Sequence, residues 1–419
     1  MLNGLFDFIQ AILNLGAAVM LPIVICILGL FFRMKAGAAV KSGLLVGIGF
    51  QGLNLIVTFM MNVVDPVIKY YEKLGSGYTT LDIGFAAVGG ASWTVPFAVF
   101  VIPAALLINL LLVKLKVTKV LNIDIWNYIH FLIPGAMAYA LTGNIVLGFV
   151  LTVVLSVTVL FVGQWIAPKW QETYGLEGTT CTSFNLIVLV YPIGIIVNKI
   201  IDKIPGLNKL DVNIEGMENK FGFFGDPAFI GVVVGAILGI ITKQDISTIL
   251  TIAVGLSAVM ILMPRMVSIM MEGVTSVGNA ASTYMKKKVG EDADIYIGMD
   301  VALGLGDPAC ITLTAIMIPM TILLSFLVPN MSYFPLGLLT SICYLTPMVV
   351  IASKGNMFRS LVACMLATYV TLFCANVFAP EGTAMMHATG VKISGMITDC
   401  QFGANPASIL VALFYRLFG

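Results

Sequence analysis

Residues 25–35 read ICILGLFFRMK, and residues 235–245 read GAILGIITKQD. Each is the end of an apolar run, with a glycine and aliphatic residues giving way to polar or basic ones. The two stretches lie roughly 210 residues apart, half the chain. Other pairs hold that spacing to within a few residues, and in order. MMNVV (60–64) faces MMEGV (270–274), and Ile102-Pro103 faces Ile318-Pro319. Gly143-Asn144 faces Gly355-Asn356, LFVGQWIAP (160–168) faces LFCANVFAP (372–380), and Gly178 faces Gly390. Ordered matches of this kind indicate an internal repeat with halves at about 1–200 and about 215–419.

The composition says where those halves reside. The 419 residues are 59% hydrophobic and 10% charged, with mean hydropathy +1.02. Soluble globular chains carry about 25% charged residues, so this is an integral membrane protein. A net charge of +1 leaves no electrostatic footprint for nucleic acid. MLNGLFDFIQ lacks the basic start of a cleavable signal peptide. The seven cysteines are scattered, with no CxxC and no Cys/His pair, and read as small core residues.

Spanning helices need ~20 apolar residues. Apolar runs lie at 15–32, 43–64, 92–113, 127–141, 145–167, 186–201, 227–241, 246–263, 308–328, 336–352, 361–379 and 404–417, with charges only at their ends. Several are short, as tilted, interrupted or re-entrant segments are. Residues 266–282 have helical apolar spacing and are expected to lie along the membrane surface.

The positive charges orient the halves. If residue 1 is outside and each half crosses five times, with 186–201 dipping in without crossing, one side collects nearly all the lysines and arginines. Only Lys69, Lys73, Lys243 and Lys392 fall on the other. Basic loops of one half then match near-neutral loops of the other, the mark of an inverted repeat. The expected fold is an all-α polytopic membrane protein. It has an inverted repeat of about five transmembrane helices per half plus re-entrant hairpins, about 10–12 membrane segments in all.

Two copies of Gly-Asp-Pro-Ala stand at the start of apolar runs, around Asp226-Pro227 and Asp307-Pro308. Asp is a good N-cap and Pro suits the first helical position, so both read as helix starts. Asp307 follows IGMDVALGLG (297–306), a loop too apolar for the surface. A carboxylate at membrane depth costs ~2.5–3.5 kcal/mol and usually marks a substrate path. Gly306, Asp307 and Pro308 are therefore candidate binding residues for a polyhydroxy ligand. The matching place in the first half is VGGASWTVP (88–96), which adds Gly90 and Ser92. His130 lies in WNYIHFLIPG, a short run ending in Pro-Gly as broken helices at binding sites do. His387 is a weaker candidate beside Glu381. Asn356 belongs to a Gly-Asn pair that reads first as a turn but could reach a ligand. Thr180, Thr182, Ser183 and Asn185, in GLEGTTCTSFN (175–185), line either a cavity or a loop. Asp226 and Pro227 are assigned to a structural cap or hinge. There is no Walker A motif, HExxH or serine nucleophile elbow, so no catalytic residue, metal or cofactor is expected.

The chain resembles the membrane subunit IIC of the galactitol-type phosphotransferase system (PTS), a relative of the ascorbate-type IIC subunits. The resemblance rests on the paired five-helix halves, both GDPA copies, ILGLFFRMKAGAAVKSGLLVGIGFQGLN (27–54) and the Gly-Asn and Ala-Pro repeats, and covers essentially the whole chain. It implies one IIC domain, an elevator motion and a homodimer in the bacterial inner (cytoplasmic) membrane. Residues of about 1–75 and 225–290 would form the dimer and scaffold part, and about 80–200 and 295–419 the substrate-carrying core. It implies separate IIA and IIB partners, with the phosphoryl-donating cysteine on IIB. By position, the ascorbate-type hairpin carboxylate matches Asp307, its histidine matches His130, and its hairpin entry matches Gly90 to Ser92. Where that type has another histidine, this chain has only Thr and Ser around 180–183, a departure that suits a neutral polyol. Two other readings remain open from the residues: an ion-coupled secondary transporter of a small polar solute, and an intramembrane enzyme or scaffold.

Overall fold

Apolar runs become helices wherever a capping residue or a left-handed residue can close them. The computed structural model describes residues 17–74, 78–93, 95–124, 126–210, 227–289, 295–390 and 395–419. Helix α1 (Ala17–Phe31) turns into α2 (Ala36–Leu74) through Arg33 at φ 63°, with Met34 N–H donating to Gly29 O at 2.9 Å. Helix α8 (Pro227–Ile241) turns into α9 (Ile246–Val289) in the same way. Lys243 sits at φ 56°, and Gln244 N–H donates to Gly239 O at 3.0 Å. Both are six-to-one closures that satisfy a carbonyl at the helix end.

These four helices form one layer, with α9 along α2, α1 against α2 and α8 against α9. The α8–α9 contact depends on Gly235, where an added Cβ would stand 2.6 Å from Ala253 Cα. Residues 266–282, expected to lie along the membrane surface, continue α9 without a break, and that helix runs 44 residues. Pro264 falls inside it without ending it.

The rest of the chain builds around short strands. Strand β1 (Thr80–Asp82) leads to α3 (Phe85–Ser92) and α4 (Ala98–Lys114). Strand β2 (Val120–Asn122) leads through a 3₁₀ turn at Trp126–Tyr128 to α5 (Ile129–Thr142) and α6 (Ile145–Tyr174). Strand β3 (Thr179–Cys181) leads through a π turn at Leu186–Val190 to α7 (Tyr191–Ile201). Strand β4 (Tyr296–Met299) and the 3₁₀ segment Val301–Gly306 precede α10 (Pro308–Ser325). Then come α11 (Leu336–Ser341), a 3₁₀ turn at Ile342–Leu345, α12 (Thr346–Ala352), α13 (Met357–Val377) and α14 (Ala379–Ala388). Strand β5 (Met396–Thr398), α15 (Cys400–Ala404) and α16 (Pro406–Phe418) end the chain.

The strands were not expected. They pair in parallel, β1 with β5, and β4 between β2 and β3. Asn109 of α4 fixes the edge of β2, donating to Val120 O at 2.7 Å and accepting from Asn122 N at 2.8 Å. The fold is otherwise helical, as expected of an all-α membrane protein. Among the described residues, Ile145–Tyr174, Pro308–Ser325 and Met357–Val377 are long and apolar enough to cross a bilayer. The runs at 186–201 and 336–352 are interrupted, by the π turn and the 3₁₀ turn. Asp226 lies outside the described residues.

Candidate functional site

A parallel strand delivers its next residues to one end of the sheet. Just past β2, β3 and β4, the chain places Asp124, Thr182, Ser183, Asn185 and Asp300. All but Asp300 are buried, and so are Asn127 and His130, which follow β2. The polar residues hold one another. Thr182 Oγ1 donates to Met299 O at 3.2 Å, and Val301 N–H donates to Ser183 Oγ at 2.9 Å. Asp300 caps the following 3₁₀ segment, accepting from Ala302 N at 2.6 Å.

Asn127 sits at the centre. Its amide satisfies most partners when the nitrogen faces Asp300. It then donates to Asp300 Oδ2 at 3.1 Å and to His130 Nε2 at 2.8 Å, while its oxygen accepts from Ser183 N at 3.1 Å. His130 Nε2 is then the acceptor nitrogen, which leaves Nδ1–H to donate to Gln401 Oε1, 3.3 Å away. Asn185 Nδ2 donates to the same Gln401 oxygen at 3.3 Å. Asn405, the N-cap of α16, donates to His130 O at 2.9 Å. Phe85 stacks with His130 at 6.3 Å between ring centroids and meets Tyr344 at 6.1 Å. Two buried polar atoms in the cluster or within two residues of it have no protein partner, Asn185 Oδ1 and Asp399 Oδ2. A buried polar group without a partner costs about 1–3 kcal/mol, which a ligand hydroxyl can recover.

His130, Thr182, Ser183 and Asn185, all candidates from the sequence, belong to this cluster. Thr180 lies in β3, and the others lie at helix ends. Asp307 Oδ1 caps α10, accepting from Ala309 N at 2.9 Å and Cys310 N at 3.3 Å. Gly306 closes the 3₁₀ segment before it, and Pro308 is the exposed first residue of α10. Ser92 Oγ donates to Gly89 O at 2.7 Å at the end of α3, and Gly90 in that helix is exposed with open space around it. Asn356 caps α13, accepting from Arg359 N at 3.1 Å, and donates to Leu210 O at 2.8 Å. Pro227 opens α8 in the four-helix layer.

Asp300, Asn127 and Gln401 escaped the sequence reading. A signal was present: Leu81-Asp82, Ile123-Asp124, Met299-Asp300 and Thr398-Asp399 all put an aspartate at or just past a strand end. Among the described residues no group of three His, Cys, Asp or Glu could hold a metal ion. The cluster offers amides, hydroxyls, one imidazole and the carboxylates of Asp124 and Asp300 beside aromatic faces. Such a set of groups suits a polar, hydroxyl-rich molecule.

Comparison with known proteins gives the family. The family EIIC-GAT, described as "PTS system sugar-specific permease component", matches residues 11–395. The chain is 33% identical over 411 residues to the "PTS system galactitol-specific EIIC component" of Escherichia coli (strain K12), covering 97% of this chain and 91% of that one. The protein of the same name from Escherichia coli O157:H7 matches to the same extent. A "Putative permease IIC component" of Escherichia coli (strain K12) is 29% identical over 392 residues, covering 93% of this chain and 89% of that one. The chain belongs to the EIIC-GAT family and is a galactitol-type membrane subunit IIC of the PTS.

Proposed function

We propose that this protein carries galactitol or a closely similar polyol across the bacterial inner membrane, for phosphorylation by a separate IIB chain charged through IIA. The observation that carries this reading is the near full-length likeness to galactitol-specific subunits. The cluster around Asn127 supports it. A hexitol presents many hydroxyls and no charge, and Asn127, Asn185, Gln401, His130 and Asp300 supply donors and acceptors without a lysine or arginine. Phe85 and Tyr344 supply apolar faces for the carbon chain. Asp307, Gly306, Pro308, Gly90 and Ser92 shape helix ends, and Asn356 ties α13 to the loop after α7.

The motion proposed is an elevator within a homodimer. The layer of α1, α2, α8 and α9, at about 1–75 and 225–290, is the scaffold, and about 80–200 and 295–419 is the moving core. An inverted repeat fits the order of elements. Left-handed residues recur in step, Arg33 with Lys243, Lys116 with Asn330, and Gly143 with Gly355. Each half also has a helix beginning at an Asn cap, Asn144 on α6 and Asn356 on α13.

The test is uptake of radiolabelled galactitol into vesicles holding this chain, with and without IIA, IIB and phosphoenolpyruvate. Internal accumulation as the phosphate, dependent on IIB, is expected. Accumulation of unmodified galactitol that collapses with an uncoupler would replace this reading with an ion-driven carrier.

A further inference from the structure

Among the described residues, the cluster holds three side chains of a type that accepts a proton at neutral pH: Asp124, His130 and Asp300. They differ in what they have left to offer a ligand. His130 is buried with both ring nitrogens engaged, Nε2 by the Asn127 amide at 2.8 Å and Nδ1 by Gln401 Oε1 at 3.3 Å. Its one ring lone pair is therefore taken. Asp124 is buried and accepts from Asn127 N–H at 3.2 Å. Asp399, two residues from Gln401, is fully buried and caps α15, accepting from Gln401 N–H at 2.8 Å. Asp300 is partly exposed. Cys181, Cys343 and Tyr344 lie close enough to feel its charge, but thiols and phenols keep their protons at neutral pH.

The Asp300 carboxylate is also held in place. Oδ1 accepts from Ala302 N–H at 2.6 Å, and Oδ2 faces the Asn127 nitrogen at 3.1 Å. A carboxylate oxygen has about two lone-pair positions, so Oδ2 keeps one for a donor from a ligand. When a hydroxyl attacks phosphorus its proton has to leave, and in protein kinases an aspartate accepts it. A phosphorylated partner must bring its phosphorus to the bound hydroxyl. The group that takes the proton therefore has to stand where the site opens, which favours Asp300 over its buried neighbours.

We propose that Asp300 is the general base for phosphorylation of the polyol. The proposal rests on the reading of the cluster as the polyol site and of IIB as the phosphoryl donor. One hydroxyl of the bound polyol donates to Asp300 Oδ2. Its oxygen attacks the phosphorus of the phosphocysteine that IIB presents, so that an O–P bond forms and the S–P bond breaks. The bonding pair leaves with sulfur as a thiolate, and the hydroxyl proton passes to Asp300. Water takes that proton once the phosphate ester departs. Asn127 positions the base, because it bonds Asp300, His130 and Ser183 at once.

The experiment is single-turnover transfer from phosphorylated IIB to galactitol, on the purified full-length protein in nanodiscs, with galactitol saturating for each variant. Binding of radiolabelled galactitol is measured in parallel. Asp300→Asn keeps an oxygen to cap Ala302 but cannot take a proton. Its rate at saturation is expected to fall at least about 100-fold, as loss of a general base does. Gln401→Ala removes a binding contact, so it should raise the galactitol KM and lower kcat less than about tenfold. The wild-type rate should rise with pH as one group loses its proton, and that limb should be missing from Asp300→Asn. Asp300→Ser, which also suits a cap, serves if the Asn variant binds no galactitol.

A fall of less than about 100-fold in a variant that binds galactitol overturns the proposal. So does a pH limb that persists unchanged in it, and so does an equal loss of kcat in Gln401→Ala, which would make the effect one of fit. If neither Asp300 variant binds galactitol, Asp300 holds the substrate rather than its proton, and the proposal fails. Wild-type protein that binds galactitol but receives no phosphoryl group for it from IIB would instead overturn the phosphotransferase reading. Absence of galactitol binding to the wild-type protein would overturn the polyol site.

Discussion

His130 and Gln401 stand 271 positions apart and meet at 3.3 Å in the core. The imidazole donates from Nδ1, because Asn127 already occupies Nε2. One residue comes from the start of α5 and the other from α15, so the candidate site is assembled from both halves of the chain.

That pairing predicts coupled mutations. His130→Ala and Gln401→Ala should each weaken galactitol binding by 10-fold or more, about the loss of one buried hydrogen bond with its partner left unsatisfied. The double variant should lose less than the sum, because the two groups act as a unit. Calorimetric titration of the purified variants checks this, and strict additivity would show that the residues do not cooperate.

Asp300 and Asp307 should separate. Asp300→Asn loses a charged acceptor at the cluster and should lower galactitol affinity at least about tenfold. Asp307→Asn keeps a good N-cap on α10 and should leave affinity within about threefold of wild type. If both variants bound equally well, the cluster would not be the polyol site.

Gly337 should tolerate no side chain. A Cβ there would stand 2.5 Å from Gly84 Cα and collide with the Asp82 carboxylate, which accepts from Gly337 N at 2.8 Å. Gly337→Ala should cost about 1–3 kcal/mol, as overpacking does. A clear fall in melting temperature in detergent is the expected readout, and an unchanged one would mean the β1–α11 contact yields freely.

Asp245, outside the membrane-spanning segments, caps α9 through Thr248. Thr248 Oγ1 donates to its Oδ2 at 2.6 Å and Thr248 N–H to its Oδ1 at 3.1 Å. These bonds hold its carboxyl below the usual aspartate range. The folded value lies below the unfolded one, so the stabilisation is present above the unfolded value of about 3.9 and is lost as pH falls through the folded value. Asp245→Ala should lower the melting temperature slightly at pH 7, and the difference should vanish in acid. A difference that grows in acid would have the wrong sign for this cap.

The helices were legible because each is a long apolar run with a polar punctuation mark, and α8 begins and ends where its run does. Residues 266–282 misled because their apolar spacing suits a surface helix as well as the end of a 44-residue one. The strands were not legible, since three residues are too few to show a period of two. Their loss hid Asp300, which in the sequence is one polar letter in an apolar loop. His130 and Thr182 were readable because a histidine or a hydroxyl run in such surroundings stands out. Gln401 gave no local sign, since it reaches His130 only through tertiary contacts such as the β1–β5 pairing and the Asn405 bond to His130 O.

That pairing also bears on how the protein is made. Strand β1 is translated early, yet among the described residues its sheet partner is β5, made far later. Strand β4 likewise lies between two strands synthesised long before it. The ribosome must release almost the whole polypeptide before Asp82, at the end of β1, can have its partner strand beside it. The first half therefore waits in the bilayer with an open strand edge, a state exposed to mispairing and proteolysis. A chain that stopped before β5 would keep that edge open for good.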